Sequence, residues 1–146
     1  MNRKEFIKTC CFACLGGSVL AAVLESCAGA YYYAKTSLEN NQFTIKKTEF
    51  IKVEKEKTVH RKYVLVNSHK YGHPICIYKI GENDYSALLM ECTHRGCELE
   101  PLGDYLVCPC HGSEFTNRGL VQNAPATDRL KTFQVTTDNE NIYVQL

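Results

Sequence analysis

The 146-residue chain reads as an all-β protein on three observations. Apolar runs of three to five residues recur from about Gln42 onward, each short enough for a strand and too short for a helix. Turn signals stand between them, Gly72-His-Pro74 and Gly81-Glu-Asn-Asp84 among them. The C-terminal stretch Leu130-Lys-Thr-Phe-Gln-Val135 alternates apolar with polar, and Asp138-Asn-Glu-Asn141 turns it back into Ile142-Tyr-Val144.

Taken in order, the expected strands are Tyr63-Val-Leu-Val66, Ile75-Cys-Ile-Tyr78, Tyr85-Ser-Ala-Leu-Leu89, Tyr105-Leu-Val107, Leu130–Val135 and Ile142–Val144. Cys76 falls between Ile75 and Ile77 and is expected to pack as a small hydrophobe rather than act as a thiol. Val53-Glu-Lys-Glu-Lys57 is a mixed charge run, expected as an exposed strand or loop. His60, His69 and His73 have no paired ligand spacing and are expected on the surface or in turns. Residues 42–146 make one domain of about 105 residues with a single small core. Internal repeats are not visible.

Ahead of this domain, residues 28–41 show no periodicity and are expected to form a tether. Fully extended, that tether reaches roughly 45–50 Å at 3.3–3.6 Å per residue. Tyr31, Tyr32 and Tyr33 within it suit either a lipid interface, where amphipathic rings accumulate, or packing on the domain. Residues 1–27 carry a basic head, Arg3-Lys4, and an apolar stretch, Cys10 to Leu24. Fifteen residues fall short of the ~20 that span a bilayer and fit a signal sequence better. Asn2-Arg3-Lys4-Glu5-Phe6-Ile7-Lys8 resembles the twin-arginine export motif with lysine for the second arginine. Leu24-Glu25-Ser26-Cys27 resembles a bacterial lipobox, which makes Cys27 the lipidation candidate. The alternative is an uncleaved membrane anchor. Either version implies an exported protein on the periplasmic side of a bacterial cell-envelope membrane. Cys10, Cys11 and Cys14 are read as small apolar residues of that stretch.

Chemistry concentrates in two segments, Cys92-Thr-His94-Arg-Gly-Cys97 and Cys108-Pro-Cys110-His111-Gly-Ser113. Each offers a thiolate and an imidazole, at C-x-H and C-x-x-H spacing, with a further cysteine alongside. Thiolates suit iron–sulfur clusters and zinc, and imidazole suits iron, copper and zinc. A structural zinc site typically shows C-x(2–4)-C and H-x(3–5)-H, and neither arrangement is present. A purely disulfide role leaves both histidines without a purpose.

The two segments resemble the ligand loops of the Rieske iron–sulfur family, in which two histidines replace two cysteines on one iron of a [2Fe–2S] cluster. The resemblance covers about residues 60–146. It implies a small antiparallel β-sandwich with an inserted cluster-binding subdomain. It implies that Cys92 and Cys108 hold the inner iron and that His94 and His111 hold the outer one. It also implies a Cys97–Cys110 disulfide across the two loops, as in the branch associated with cytochrome bc complexes. Ser113 matches a serine that donates to a bridging sulfide. Phe115 stands where high-potential members carry a tyrosine, and donors near the sulfurs favour the reduced cluster. A middling potential is therefore expected. Pro125, in Asn123-Ala-Pro125-Ala, is similar to the proline loop that covers the cluster, without its usual glycine.

On that resemblance the expected function is membrane-tethered electron transfer, as the iron–sulfur component of a respiratory quinol-oxidising complex. A quinol and a cytochrome b-like subunit would be the donor side, and a cytochrome c-type protein the acceptor. The alternatives are the small subunit of an arsenite oxidase-like molybdenum enzyme, a ferredoxin-like donor to an oxygenase, and a module whose cluster is structural. No nucleophile–base pair points to an enzyme acting alone. A formal net charge of +1 gives no basis for nucleic-acid binding.

Overall fold

The structure is a computed structural model describing residues 31–54 and 57–146. The signal, twin-arginine and Cys27 expectations all lie outside the described residues. Among those residues, no helix is long and apolar enough to cross a membrane.

The chain runs through β1 (Thr36–Glu39), β2 (Gln42–Lys46), a 3-10 turn (Lys47–Phe50), β3 (Ile51–Glu54), β4 (Lys57–His60) and β5 (Tyr63–Val66). It continues through β6 (Ile75–Lys79), β7 (Tyr85–Leu89), β8 (Glu100–Leu102), β9 (Tyr105–Val107) and β10 (Glu114–Thr116). It ends with β11 (Val121–Asn123), β12 (Thr132–Thr137) and β13 (Asn141–Gln145). Seven strands form one antiparallel sheet in the order β1-β2-β13-β12-β7-β6-β5. Strand β12 is its corner. Thr132 and Phe133 pair with β7, whereas Gln134 to Thr137 pair with β13, so one strand serves two halves of a curled sheet.

Inside the curl lie Phe43, Ile45, Val64, Val66, Ile75, Ile77, Ala87, Leu89, Ile142 and Val144. The intervening residues of β5–β7, namely Leu65, Cys76, Tyr78 and Leu88, form the opposite face. That face packs with Leu99, Leu106, Cys108 and Phe115 of the second, smaller sheet, ordered β11-β10-β9-β8. Strands β5–β7 are thus buried on both faces, which is why they read as continuous apolar runs rather than alternating ones. The Tyr78 hydroxyl donates to the Tyr105 carbonyl at 2.9 Å, fastening the large sheet to the small one. Burial pushes the Cys76 thiol well above its usual range, so this cysteine packs as a small hydrophobe.

Two boundaries differ from the sequence reading. The expected tether, 28–41, is folded into the head from Tyr31 onward. The Leu65 N–H donates to the Tyr32 carbonyl (2.9 Å), the Ala34 N–H donates to the Leu65 carbonyl (2.8 Å), and β1 pairs with β2. The edge of β5 needs backbone partners, and backbone pairing leaves no side-chain period to detect. The last alternating run starts pairing at Thr132 rather than Leu130, which is buried but lies before the strand. Val53 and Lys57, the two ends of the charged run, lie exposed on the paired strands β3 and β4.

Candidate metal centre

Two loops crown the small sheet, one between β7 and β8 and one between β9 and β10. Their backbones are built alike. In the first, the Cys92 N–H donates to the Cys97 carbonyl (2.8 Å) and the Gly96 N–H to the Cys92 carbonyl (2.7 Å). In the second, the Cys108 N–H donates to the Ser113 carbonyl (2.8 Å) and the Gly112 N–H to the Cys108 carbonyl (2.9 Å). Gly96 and Gly112 stand at φ +74° and +78°, the left-handed conformation that closes each loop and that side chains resist.

This shared frame sorts the side chains. Cys92 and Cys108 open the loops and are both buried, at 2% exposure. The third residue is His94 in one loop and Cys110 in the other; the fourth is Arg95 or His111; the sixth is Cys97 or Ser113. The histidines therefore come from different rungs, yet their rings meet edge-on with centroids 5.0 Å apart. His94 is half-buried and its Nδ1 is buried without a hydrogen-bond partner among the described residues, whereas His111 is exposed.

Cys97 and Cys110 are joined in a disulfide that ties the sixth residue of one loop to the third of the other. Their sulfurs and that of Cys108 lie within 4.8 Å of one another. Bonded sulfurs are not thiolates, so Cys108 is the ligand-capable member of that trio. Burial pushes the Cys92 thiol up, and so does its hydrogen bond with the Cys108 side chain. The backbone N–H groups of His94 and Arg95 donate to the Cys92 sulfur and pull the other way.

A third segment, Asn123 to Asp128, is tied to both loops. Asn123 Nδ2 donates to the Gly112 carbonyl (3.3 Å), and the Ala126 N–H donates to Ser113 Oγ (3.0 Å). Thr93 Oγ1 donates to the Asp128 carbonyl (2.6 Å). Pro125, after a cis peptide bond, lies exposed within this segment. Ser113 is wholly buried, and accepting from Ala126 leaves its own proton to donate. Phe115, also wholly buried, shares the packed group that contains Cys92 and Cys108. Sequence reasoning missed Thr93 as a tie between loops, since its partner is a backbone carbonyl 35 residues away.

The arrangement fits an iron–sulfur centre. Two buried free thiols in contact, two adjoining imidazoles and an orphaned buried Nδ1 form a soft and borderline donor set of S2N2 composition. Fold and site together define a small all-β iron–sulfur domain. Residues 49–134 match the family model described as "Rieske [2Fe-2S] domain". The chain belongs to that family, and its domain binds a [2Fe–2S] cluster.

Similar proteins include the cytochrome b6-f complex iron–sulfur subunit 2 of Nostoc sp., 35% identical over 77 residues. That match covers 50% of this chain and 43% of the relative. The cytochrome b6-f complex iron–sulfur subunit of a Synechococcus sp. is 36% identical over 55 residues, covering 36% of this chain and 31% of the relative. The chain thus spans less than half the length of these curated relatives. Among solved structures, the plasma membrane Rieske protein of Synechocystis superposes with a TM-score of 0.52 at 31% identity. It covers 58% of this chain and 87% of that one.

Proposed function

We propose that this protein is a membrane-tethered one-electron carrier, the iron–sulfur component of a respiratory quinol-oxidising complex. The observation that carries the reading is the division of the site into a buried sulfur side and an exposed imidazole side. Cys92 and Cys108 hold one iron in the protein interior. His94, through its orphaned Nδ1, and His111 hold the other at the tip. When bound, the cluster supplies one-electron uptake and release at roughly −150 to +300 mV, the range that two neutral histidine ligands permit.

The protein's own residues do the rest. His111 presents its ring to solvent, where it can accept a hydrogen bond from a donor hydroxyl and then hold the proton that leaves with the electron. The disulfide and the Asn123–Asp128 segment hold the two loops together, so that little reorganisation accompanies the transfer. The donor side is a quinol at a cytochrome b-like subunit, and the acceptor is a cytochrome c-type protein. The names of the cytochrome b6-f relatives support this assignment. Export, by the twin-arginine-like segment, and attachment through Cys27 or an uncleaved anchor place the head on the periplasmic side. The plasma membrane Rieske neighbour supports a membrane location.

An EPR-monitored redox titration of the full chain at several pH values tests the reading. A midpoint that falls as pH rises is expected, because deprotonated imidazole favours the oxidised, more positive centre. A low midpoint that ignores pH would instead assign the protein to ferredoxin-like donors. Radioactive palmitate should label the wild type and not Cys27→Ala; an unlabelled wild type removes the lipid.

A further inference from the structure

We propose that Tyr31 and Tyr33, held in place by Tyr32 between them, seat the head on the headgroup layer of the membrane, alongside the cluster-bearing subdomain, in place of a free tether. The proposal rests on the membrane-attachment reading above and adds where the head sits.

Folding leaves these three consecutive rings 42%, 36% and 40% exposed, yet it does not leave the segment loose. Leu65 brackets it with two backbone hydrogen bonds. The Tyr32 hydroxyl donates to Glu49 Oε2 at 2.7 Å, and the Lys35 N–H donates to the same oxygen at 3.1 Å. The Arg61 guanidinium lies 3.8 Å above the Tyr32 ring. Arg61 itself donates to the carbonyls of Glu49 and Ile51, which fixes it in place. A rigid, half-exposed row of amphipathic rings is what a membrane–water interface retains: ring bodies face the acyl boundary and hydroxyls face the headgroups.

The length of chain before the row points to the same occupant. Only residues 25–30 separate the end of the apolar stretch at Leu24 from Tyr31. Even fully extended they reach roughly 20–22 Å at 3.3–3.6 Å per residue. A bilayer that holds the N-terminal stretch therefore lies within reach of the tyrosines. The row also borders the redox end of the head. Leu65, which brackets the row, packs its side chain in the group that holds Cys92 and Cys108, and Glu100 and Glu98 add to the effect of burial in raising the Tyr31 hydroxyl pKa. Glu98 directly follows Cys97 of the disulfide. The charged groups shown against the row are thus Glu49, Glu98 and Glu100, opposed by Arg61. The excess of carboxylates suits zwitterionic headgroups, since an anionic surface would repel it.

The chain contains no tryptophan, so Tyr31→Trp and Tyr33→Trp each introduce a single indole. Leu120→Trp is the comparison: Leu120 is 52% exposed and precedes β11, at the opposite edge of the small sheet from β8. The full-length proteins are reconstituted in phosphatidylcholine vesicles carrying lipids brominated near the headgroup end of the acyl chain. An intact Rieske visible spectrum is required of each. The expected result is loss of most emission from the Tyr31→Trp and Tyr33→Trp proteins and little loss from Leu120→Trp. Vesicle flotation without quenching at the two tyrosine positions overturns the seat alone, including the case where a protein partner covers the row. Failure of the full chain to float overturns the attachment reading and the seat with it.

Discussion

The two ligand loops share one backbone and divide the chemistry unequally. Both are opened by a buried cysteine and closed by a left-handed glycine, with the same pair of hydrogen bonds. Their third and sixth residues carry different roles. Loop Cys92–Cys97 puts a histidine third and a disulfide cysteine sixth. Loop Cys108–Ser113 puts the disulfide cysteine third and a hydroxyl sixth. The frame therefore sets where side chains can stand, and residue identity at each rung sets which become ligand, bridge or donor. One consequence is the contrast between a half-buried His94 and an exposed His111.

The largest effects should come from the ligands. Replacing Cys92 or Cys108 with serine, or His94 or His111 with alanine, should abolish the cluster, read as loss of the Rieske EPR and visible signals. The contrast in exposure predicts no difference in outcome between the two histidines, because on the proposed ligand set each would supply one bond to the same iron. A variant that keeps a normal spectrum leaves the ligand set. Next comes the bridge. Cys97→Ser opens a disulfide spanning 13 residues, a loss of about 3 kcal/mol on the chain-entropy model. Thermal denaturation should show it, with part of the cluster signal retained. An unchanged Tm would mean that the three ties from Asn123–Asp128 suffice to hold the loops.

Gly96→Ala and Gly112→Ala test the likeness of the frames directly. A Cβ at Gly112 meets nothing within 4 Å, and one at Gly96 meets only Glu91 Oε1 at 3.6 Å. Sterics therefore cost neither variant anything, and the left-handed φ costs each about 1–2 kcal/mol. Equal drops in Tm are expected. If one variant falls much further than the other, the two loops are not equivalent.

How much of this was legible depended on what each feature asks of side chains. Ligation demands cysteine and histidine at fixed spacing, so Cys92, His94, Cys108 and His111 stood out. Burial on both faces demands unbroken apolar runs, so β5, β6 and β7 were found with boundaries close to those observed. Strands β8, β10 and β11 have three residues each, too few to display a period of two, whereas the equally short β9 is marked by its unbroken apolar run. The Tyr31–Ala34 strap is held by the backbone of Leu65 and, through the Tyr32 hydroxyl, by Glu49, and neither contact leaves a repeating pattern in the strap's sequence. A segment without periodicity accordingly suggests a tether, whereas from Tyr31 onward it pairs along the sheet. The equivalence of the two loops was hidden for a related reason. C-x-H and C-x-x-H look like different motifs until the shared glycine rung aligns them.

The smallest effect concerns the sixth rung. In the first loop that rung is Cys97, whose sulfur is committed to the bridge and carries no proton. In the second it is Ser113, fully buried, its oxygen accepting from Ala126 and its proton free. Only the second loop can thus donate a hydroxyl hydrogen bond towards the centre, and such a bond favours the reduced state, which carries the extra negative charge. A hydrogen bond to a charged acceptor contributes about 1.5 kcal/mol at the low end, which for one electron corresponds to roughly 60 mV. Ser113→Ala should lower the midpoint by about that amount. Phe115→Tyr should raise it by less, because a hydroxyl introduced into a wholly buried position must displace packing to reach an acceptor. Midpoints from the same titration decide both. An unchanged value for Ser113→Ala would confine that hydroxyl to holding Ala126, and a lower value for Phe115→Tyr would remove hydrogen bonding to sulfur as the account of the potential.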